Sequence, residues 1–308
     1  MLSRQLEDGG TWMGAAIELL ERVRSTQAEP VAAAAALCAD AIAAGGLVHL
    51  FGTGHSRIPV EEMFPRYGSY PGFHPIVELS TTFHTQIVGA NGQRQAMFIE
   101  RVEGLAEVIL SNFHLAPPDV MMVFSASGVS ANSIEMAIGA RRRGLAVIGV
   151  TSITQSDAVA ATHSSGTRLY DHADVVIDLC TPAADALVAL DGLATPVGPG
   201  SSVAAVAIVN EIKVEVARRL VERGAMPPVL TSASVVGQDE SSRLFEAAYD
   251  EHARRLAGVL TDGRSRHVAV DGVGGEHLLD DHRRCADHAA QVTGAGLDDA
   301  EVGRGQRQ

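Results

Sequence analysis

Three hydroxyls and one glycine fall within six residues, Ser125-Ala126-Ser127-Gly128-Val129-Ser130, where an apolar run ends and a helical pattern begins. Such a loop suits a phosphate monoester. A helix start exposes unpaired amides and the positive end of the helix dipole. Serine hydroxyls at Ser125, Ser127 and Ser130 add donors, and Gly128 lets the backbone come close. It is not a Walker loop, because Gly-Lys-Ser/Thr is absent, and it does not meet the dinucleotide pattern Gly-x-Gly-x-x-Gly. The bland alternative is a helix cap with spare serines. A second loop, Gly52-Thr53-Gly54-His55-Ser56, also ends an apolar run. It offers the Ser56 hydroxyl and a His55 imidazole able to act as an acid or to bind a hydroxyl. Glu61 and Glu62 follow just after it, where a helix beginning near Pro59 puts Glu62 in the first turn, as ordinary dipole complementation also would. Of the 24 Lys and Arg residues only Lys213 is a lysine. Either chance kept it, or the position needs a compact, titratable ammonium. His74, His84 and Glu100 are weaker candidates.

The elements around these loops alternate in type. Residues 11–44 read as two helices broken near Glu29-Pro30, and Gly45-Gly46 stops the second. Residues 47–51 form a strand into the first loop, and residues 120–124 form a second into the serine loop. A helix to Arg143 follows, then strands at 146–150 and 175–179, and Ser201-Ser202 caps a long helix to Arg223 that ends at Gly224. Strands alternating with helices imply βαβ units and a mainly parallel α/β sheet, flavodoxin-like or Rossmann-like, with helices on both faces. Ligands of such sheets bind beyond the carboxyl ends of the strands. Both loops fall there, so they should face one crevice. Residues 68–95, rich in Gly, Pro, Thr and His, read as a long ordered loop over the site or against a partner subunit.

The chain has 308 residues, 46% of them hydrophobic, enough for one large domain. We expect that domain to span residues 1–258, N-terminal helices included, and residues 259–308 to be a polar, flexible tail. The four tail histidines His267, His277, His282 and His288 carry little weight as metal ligands. A net charge of −13 excludes nucleic acid and anionic membrane as partners. Cys38, Cys180 and Cys285 stand far apart with no CxxC, which suits a reducing compartment without disulfides or structural zinc. With no signal-peptide pattern and no apolar stretch long enough to span a bilayer, the expectation is a cytoplasmic protein.

Residues 124–132, Phe-Ser-Ala-Ser-Gly-Val-Ser-Ala-Asn, closely resemble the phosphate loop of the SIS (sugar isomerase) phosphosugar-binding family. Gly52-Thr53-Gly54-His55-Ser56 is similar to that family's first loop. The resemblance covers roughly residues 11–245 and is nearest to single-domain bacterial SIS proteins, through Gly54-His55-Ser56, Glu61-Glu62, Pro227-Pro228 and Ser232-Ala233. It implies an SIS-type sandwich and a homodimer or higher homo-oligomer with sites near subunit interfaces. It also implies that Ser56, Ser125, Ser127, Gly128 and Ser130 contact the phosphate of a sugar phosphate, with Gly54 and Asn210 beside the sugar.

Enzymes of this family remove the proton beside a sugar carbonyl, and a carboxylate is a suitable base. Glutamate stands in a similar place in the related etherases, so Glu62, ahead of Glu61, is the expected base, with His55 and Lys213 as further catalytic candidates. In the heptose isomerases zinc is held by His, Glu, Gln and His. The matching positions here carry Glu62, Arg66, Asn210 and Arg218, a set unfit for zinc. No metal and no cofactor is expected. The resemblance thus points to a hexose or amino-sugar 6-phosphate, with or without an N-acetyl group, losing its C2 proton, with elimination favoured over aldose–ketose isomerisation. A non-catalytic sensor is the remaining reading; regulators of that kind carry a basic helix-turn-helix segment, whereas some 45 residues with few arginines precede the first strand here.

Overall fold

The structure, a computed structural model, describes residues 10–82 and 92–260. Helices α1 (Trp12–Thr26) and α2 (Ala28–Ala43) come first. The break lies at Gln27, two to three residues before the expected one, because Pro30 is tolerated in the first turn of α2, where no amide partner is lost. Then follow β1 (Val48–Gly52), a 3-10 turn at Gly54–Ser56, α3 (Arg57–Met63) and β2 (Phe73–Pro75). Beyond β2 lie α4 (Gly92–Ile99), α5 (Leu105–Leu110), β3 (Val120–Phe124), α6 (Ala131–Arg142), β4 (Ala146–Thr151) and β5 (Val175–Asp178). A short antiparallel hairpin, β6 (Ala186–Val188) with β7 (Val197–Pro199), leads into the long α7 (Ser201–Glu222), and α8 (Gln238–Leu256) closes the series. Among the described residues no helix is long and apolar enough to cross a membrane.

The five-stranded sheet is wholly parallel with order β2-β1-β3-β4-β5, the doubly wound arrangement of the flavodoxin type. Successive side chains along the central strands enter opposite faces of the sheet, as the pleat requires. Val48 and Leu50 of β1, and Val120, Met122 and Phe124 of β3, join α2 and α7 in one core. Phe51, Met121 and Val123 join α5 and α6 in the other. Helices therefore cover both faces, and β1 and β3 are buried throughout.

Residues 68–95 are not the long loop that their composition suggests. Phe73–Pro75 pairs with β1 as an edge strand, Leu79–Thr82 forms one helical turn, and α4 begins at Gly92. Three residues ending in proline are too few to show a period, and an edge position is where a strand proline is tolerated. The β6–β7 hairpin was hidden for the same reason. Val259 is buried and the His114 amide donates to its carbonyl, at 2.7 Å. Residues 261–308 of the expected tail lie outside the described residues, as does His84.

Two buried imidazoles stitch β2 to the sheet. His49 Nε2 lies 3.2 Å from Asp119 Oδ2, and His49 Nδ1 lies 2.9 Å from His74 Nδ1. One of the two Nδ1 atoms carries the proton of this contact and the other accepts it. Burial, reinforced by the His49 and His252 rings and offset in part by Asp119, pulls His74 down to about 3. Below the ordinary value of 6.5 the unfolded chain takes up a proton that folded His74 refuses. This contribution to stability is complete above that value and shrinks as pH falls towards 3, by at most about 1.4 kcal/mol per pH unit. His74→Phe should flatten the pH dependence of the urea midpoint between about pH 6.5 and 4.5. Equal slopes in parent and variant would count against it.

Candidate functional site

The strand order reverses between β1 and β3, and their carboxyl ends carry the two loops. Gly52, paired with Phe124, has to be glycine because a Cβ there would lie 2.2 Å from the Ser56 carbonyl oxygen. The chain can therefore double back tightly, and α3 starts at Arg57, so Glu62 falls in its second turn rather than the first.

In the serine loop Gly128 takes a φ of +66°, and the Ser125 hydroxyl accepts from the Gly128 amide at 3.1 Å. Ser130 is the N-cap of α6, with its hydroxyl 2.7 Å from that of Ser133. Four successive carbonyls of the loop are tied to the segment after β4. Ala126 accepts from the Ser152 amide, Ser127 from the Ser156 hydroxyl at 2.6 Å, Gly128 from the Leu169 amide and Val129 from the Thr162 hydroxyl. Carbonyl oxygens repel an anion, and engaging them on one side suits a loop whose donors serve an anion on the other. Arg168 braces this segment by donating to the carbonyls of Ser156 and Val159. Sequence reasoning missed the brace, for which the clustered hydroxyls from Thr151 to Thr162 were the available signal.

A cleft of about 270 Å³ opens at these strand ends. His55 and Ser56 from the first loop meet Ser125 and Ala126 from the second, while Asp185, Ser201 and Ser202 enter from the α7 side. The expected meeting of the two loops is therefore present in His55, Ser56 and Ser125. Ser127, Gly128 and Ser130 belong to the adjoining turn and helix cap rather than to this lining, and Gly54 sits in the 3-10 turn at φ +54°. Asp185 was not singled out from sequence, and Ser201 and Ser202 were read only as a helix cap rather than as cleft residues. The Thr53 hydroxyl donates to the Glu100 carboxylate at 3.0 Å, and the Asn132 backbone amide donates to the Glu100 carbonyl, so Glu100 joins the first loop to the start of α6.

Glu62, Asn210 and Lys213 come together one helical turn from Pro59, between α3 and α7. Asn210 Nδ2 donates to Glu62 Oε1 at 3.3 Å, Lys213 Nζ lies 3.5 Å from the same oxygen and donates to the Glu62 carbonyl at 2.9 Å, and Arg66 pairs with Oε2 at 2.9 Å. Burial works to raise the Glu62 carboxyl, but Asn210, Lys213 and Arg66 outweigh it and hold the group below the usual carboxylate range. Burial pulls the Lys213 ammonium below its usual range, and Glu62 offsets this in part. Glu61 points elsewhere, towards Arg57 and an apolar pocket formed with Phe64, Pro75 and Ile76. Of the four positions that match zinc ligands in heptose isomerases, Arg218 turns to Glu215, leaving one carboxylate and one amide beside Arg66 and Lys213. That donor set does not fit a zinc ion. A second grouping, Glu103, Glu135 and His163, ties the segment after β4 to α6, and Gly104 and Ser164 amides already serve its carboxylates.

Gly128→Ala should destabilise the protein by about 1–3 kcal/mol through its left-handed backbone. Its Cβ would in addition lie 2.7 Å from the Thr151 and Ser156 hydroxyls. Gly54→Ala, with nothing within 4 Å, isolates the backbone part. Thermal denaturation in which Gly128→Ala loses no more than Gly54→Ala would refute this packing.

Comparison with known proteins follows the same lines. The SIS domain family matches residues 11–152. A UPF0309 protein of Streptomyces avermitilis is 36% identical over 228 residues, 73% of this chain and 88% of that protein. A UPF0309 protein of Brucella anthropi is 38% identical over 240 residues, 78% of this chain and 95% of its relative. Among solved structures, the phosphoheptose isomerase of Neisseria gonorrhoeae is similar at 16% identity and a TM-score of 0.44, covering 70% of this chain and 98% of its own. With two thirds and more of its length matched at such identity, and with its parallel sheet and paired loops, the chain belongs to the SIS-domain proteins of the UPF0309 family.

Proposed function

We propose that this protein is a phosphosugar enzyme that binds the phosphate of a hexose or amino-sugar 6-phosphate at the Ser125–Ser130 loop and removes the proton from C2. The observation that carries the reading is the convergence of Ser56 and Ser125, from two different strand ends, on one cleft beside the start of α6. Hydroxyls together with a helix start favour a dianionic ester.

Glu62 is the base in this reading. A base has to be ionised before it can accept a proton, and Asn210, Lys213 and Arg66 keep Glu62 in that state. Reaching C2 requires Glu62 to exchange Asn210 or Arg66 for substrate. The C–H electron pair passes into an enediolate. Expulsion of the C3 oxygen, protonated by His55, then leaves a C2=C3 double bond, whereas reprotonation at C1 gives a ketose. We favour the elimination, because it needs one base and one acid and no metal, in keeping with the donors around Glu62. A homo-oligomer accords with this reading, since Met13, Ile17 and Val214 are exposed on α1 and α7.

Incubation with a panel of sugar phosphates, following ultraviolet absorbance and ketose formation together, distinguishes the two outcomes. Glu62→Gln should still bind substrate but lose roughly 10²–10⁴-fold in turnover. It should also fail to exchange the C2 proton in D₂O. Full activity in both Glu62→Gln and Glu61→Gln would place the base elsewhere. Turnover is expected to persist in excess EDTA; loss on chelation, restored by zinc, would overturn the metal-free route.

A further inference from the structure

Two helix starts border the cleft, and they are dressed differently. At α6 the Ser130 and Ser133 hydroxyls stand together, and the Asn132 backbone amide donates to the Glu100 carbonyl. At α7, which is 22 residues long, a carboxylate already occupies the free amides. Asp185 Oδ1 accepts from the Ser201 amide at 2.8 Å and the Gly200 amide at 3.3 Å, and Oδ2 accepts from the Ser201 hydroxyl at 2.7 Å. The Asp185 backbone is held as firmly. Its amide donates to the Pro182 carbonyl at 2.8 Å and its carbonyl accepts from Gly200 at 2.9 Å. Its φ is +59°, a left-handed conformation that aspartate and asparagine adopt more readily than other non-glycine residues. The side chain thus built lines the same cleft as His55, Ser56 and Ser125.

Such a carboxylate has two consequences. It neutralises the positive end of α7, so the α7 side no longer attracts an anion and repels one by direct charge. Two carboxylate oxygens offer about four acceptor sites. Three donors are in place, so acceptor capacity remains for a neutral hydroxyl. We propose that Asp185 sets the polarity of the cleft: it accepts sugar hydroxyls on the α7 side and rejects substrates bearing a second phosphate or a carboxylate there. The inference rests on the reading of the cleft as a sugar-phosphate site and adds its substrate class, singly phosphorylated sugars with a neutral opposite end.

The test titrates parent and Asp185→Asn with glucose 6-phosphate and with glucose 1,6-bisphosphate by isothermal calorimetry. Asparagine keeps the shape, tolerates the left-handed backbone and can still accept from Ser201. Circular dichroism and the melting temperature verify its fold. The parent should prefer the monophosphate by about tenfold or more, and Asp185→Asn should narrow that preference by about tenfold through tighter binding of the bisphosphate. Asp185→Ala should narrow it equally while weakening the monophosphate. If the parent binds the monophosphate but shows no preference, or if Asp185→Asn leaves the preference unchanged, the role of Asp185 is overturned and the cleft reading stands. If the parent binds neither sugar, the cleft reading fails and this inference falls with it.

Discussion

The parallel pairing of β1 with β3 is the interaction on which the site depends. Five residue pairs, from Val48↔Val120 to Gly52↔Phe124, fix the two strands in register, and both end at the same level. Because β2 lies on the far side of β1 and β4 on the far side of β3, the chain leaves this pair in opposite directions and opens a crevice between the loops. A slip of one residue would turn Val48, Leu50, Met122 and Phe124 from one core to the other and would also part Ser56 from Ser125. Burial of both faces forbids that slip, so the hydrophobic pattern that folds the sheet also aligns the site.

Charge is distributed against the net balance of the chain. In a chain with a formal charge of −13, the donors that the proposed site offers to an anion are amides, hydroxyls and a helix dipole rather than a basic patch. These donors work at short range and with fixed direction, which suits recognition of one phosphate better than general attraction of polyanions. The same economy marks the α3–α7 contact. Lys213 is buried, a position an unpaired ammonium could not hold, and Glu62 supplies both its counter-charge and a carbonyl acceptor. Removing the Glu62 carboxylate leaves the Lys213 ammonium without its counter-charge in a poorly solvated place, so the contact has a structural role whatever chemistry Glu62 performs.

Behind the serine loop the hydroxyls of Thr151, Ser156 and Thr162 act as scaffold. Each donates to a loop carbonyl, at Ala126, Ser127 and Val129 in turn. A loop with its carbonyls engaged keeps its shape before a ligand arrives, and pre-organised donors bind without a further entropic cost. The left-handed backbones at Gly128 and Asp185 border the same cleft, one relieved by the absence of a side chain and the other sustained by hydrogen bonds on every side.

Local patterns were enough to read much of this from the sequence. Five apolar residues ahead of Ser125 gave β3 at Val120–Phe124, and an apolar stripe after Ser201-Ser202 gave α7 at Ser201–Glu222, although its N-cap is Gly200 and the serines lie in its first turn. Glycine and serine after each strand marked the loops, because turn chemistry and helix starts depend on neighbouring residues. Tertiary structure decided the rest. Phe73–Pro75 becomes a strand only because β1 offers it an edge and the His49–His74 contact holds it. Glu62 turns towards α7 and Glu61 away from it, a divergence invisible in two adjacent glutamates, since the partners Asn210 and Lys213 lie 148 and 151 residues away. Asp185 gave no signal, because an aspartate in a turn is ordinary until a distant helix start is packed beneath it. A sequence states its own periodicity and its turns; which side chains share a cleft follows from packing that links positions far apart along the chain.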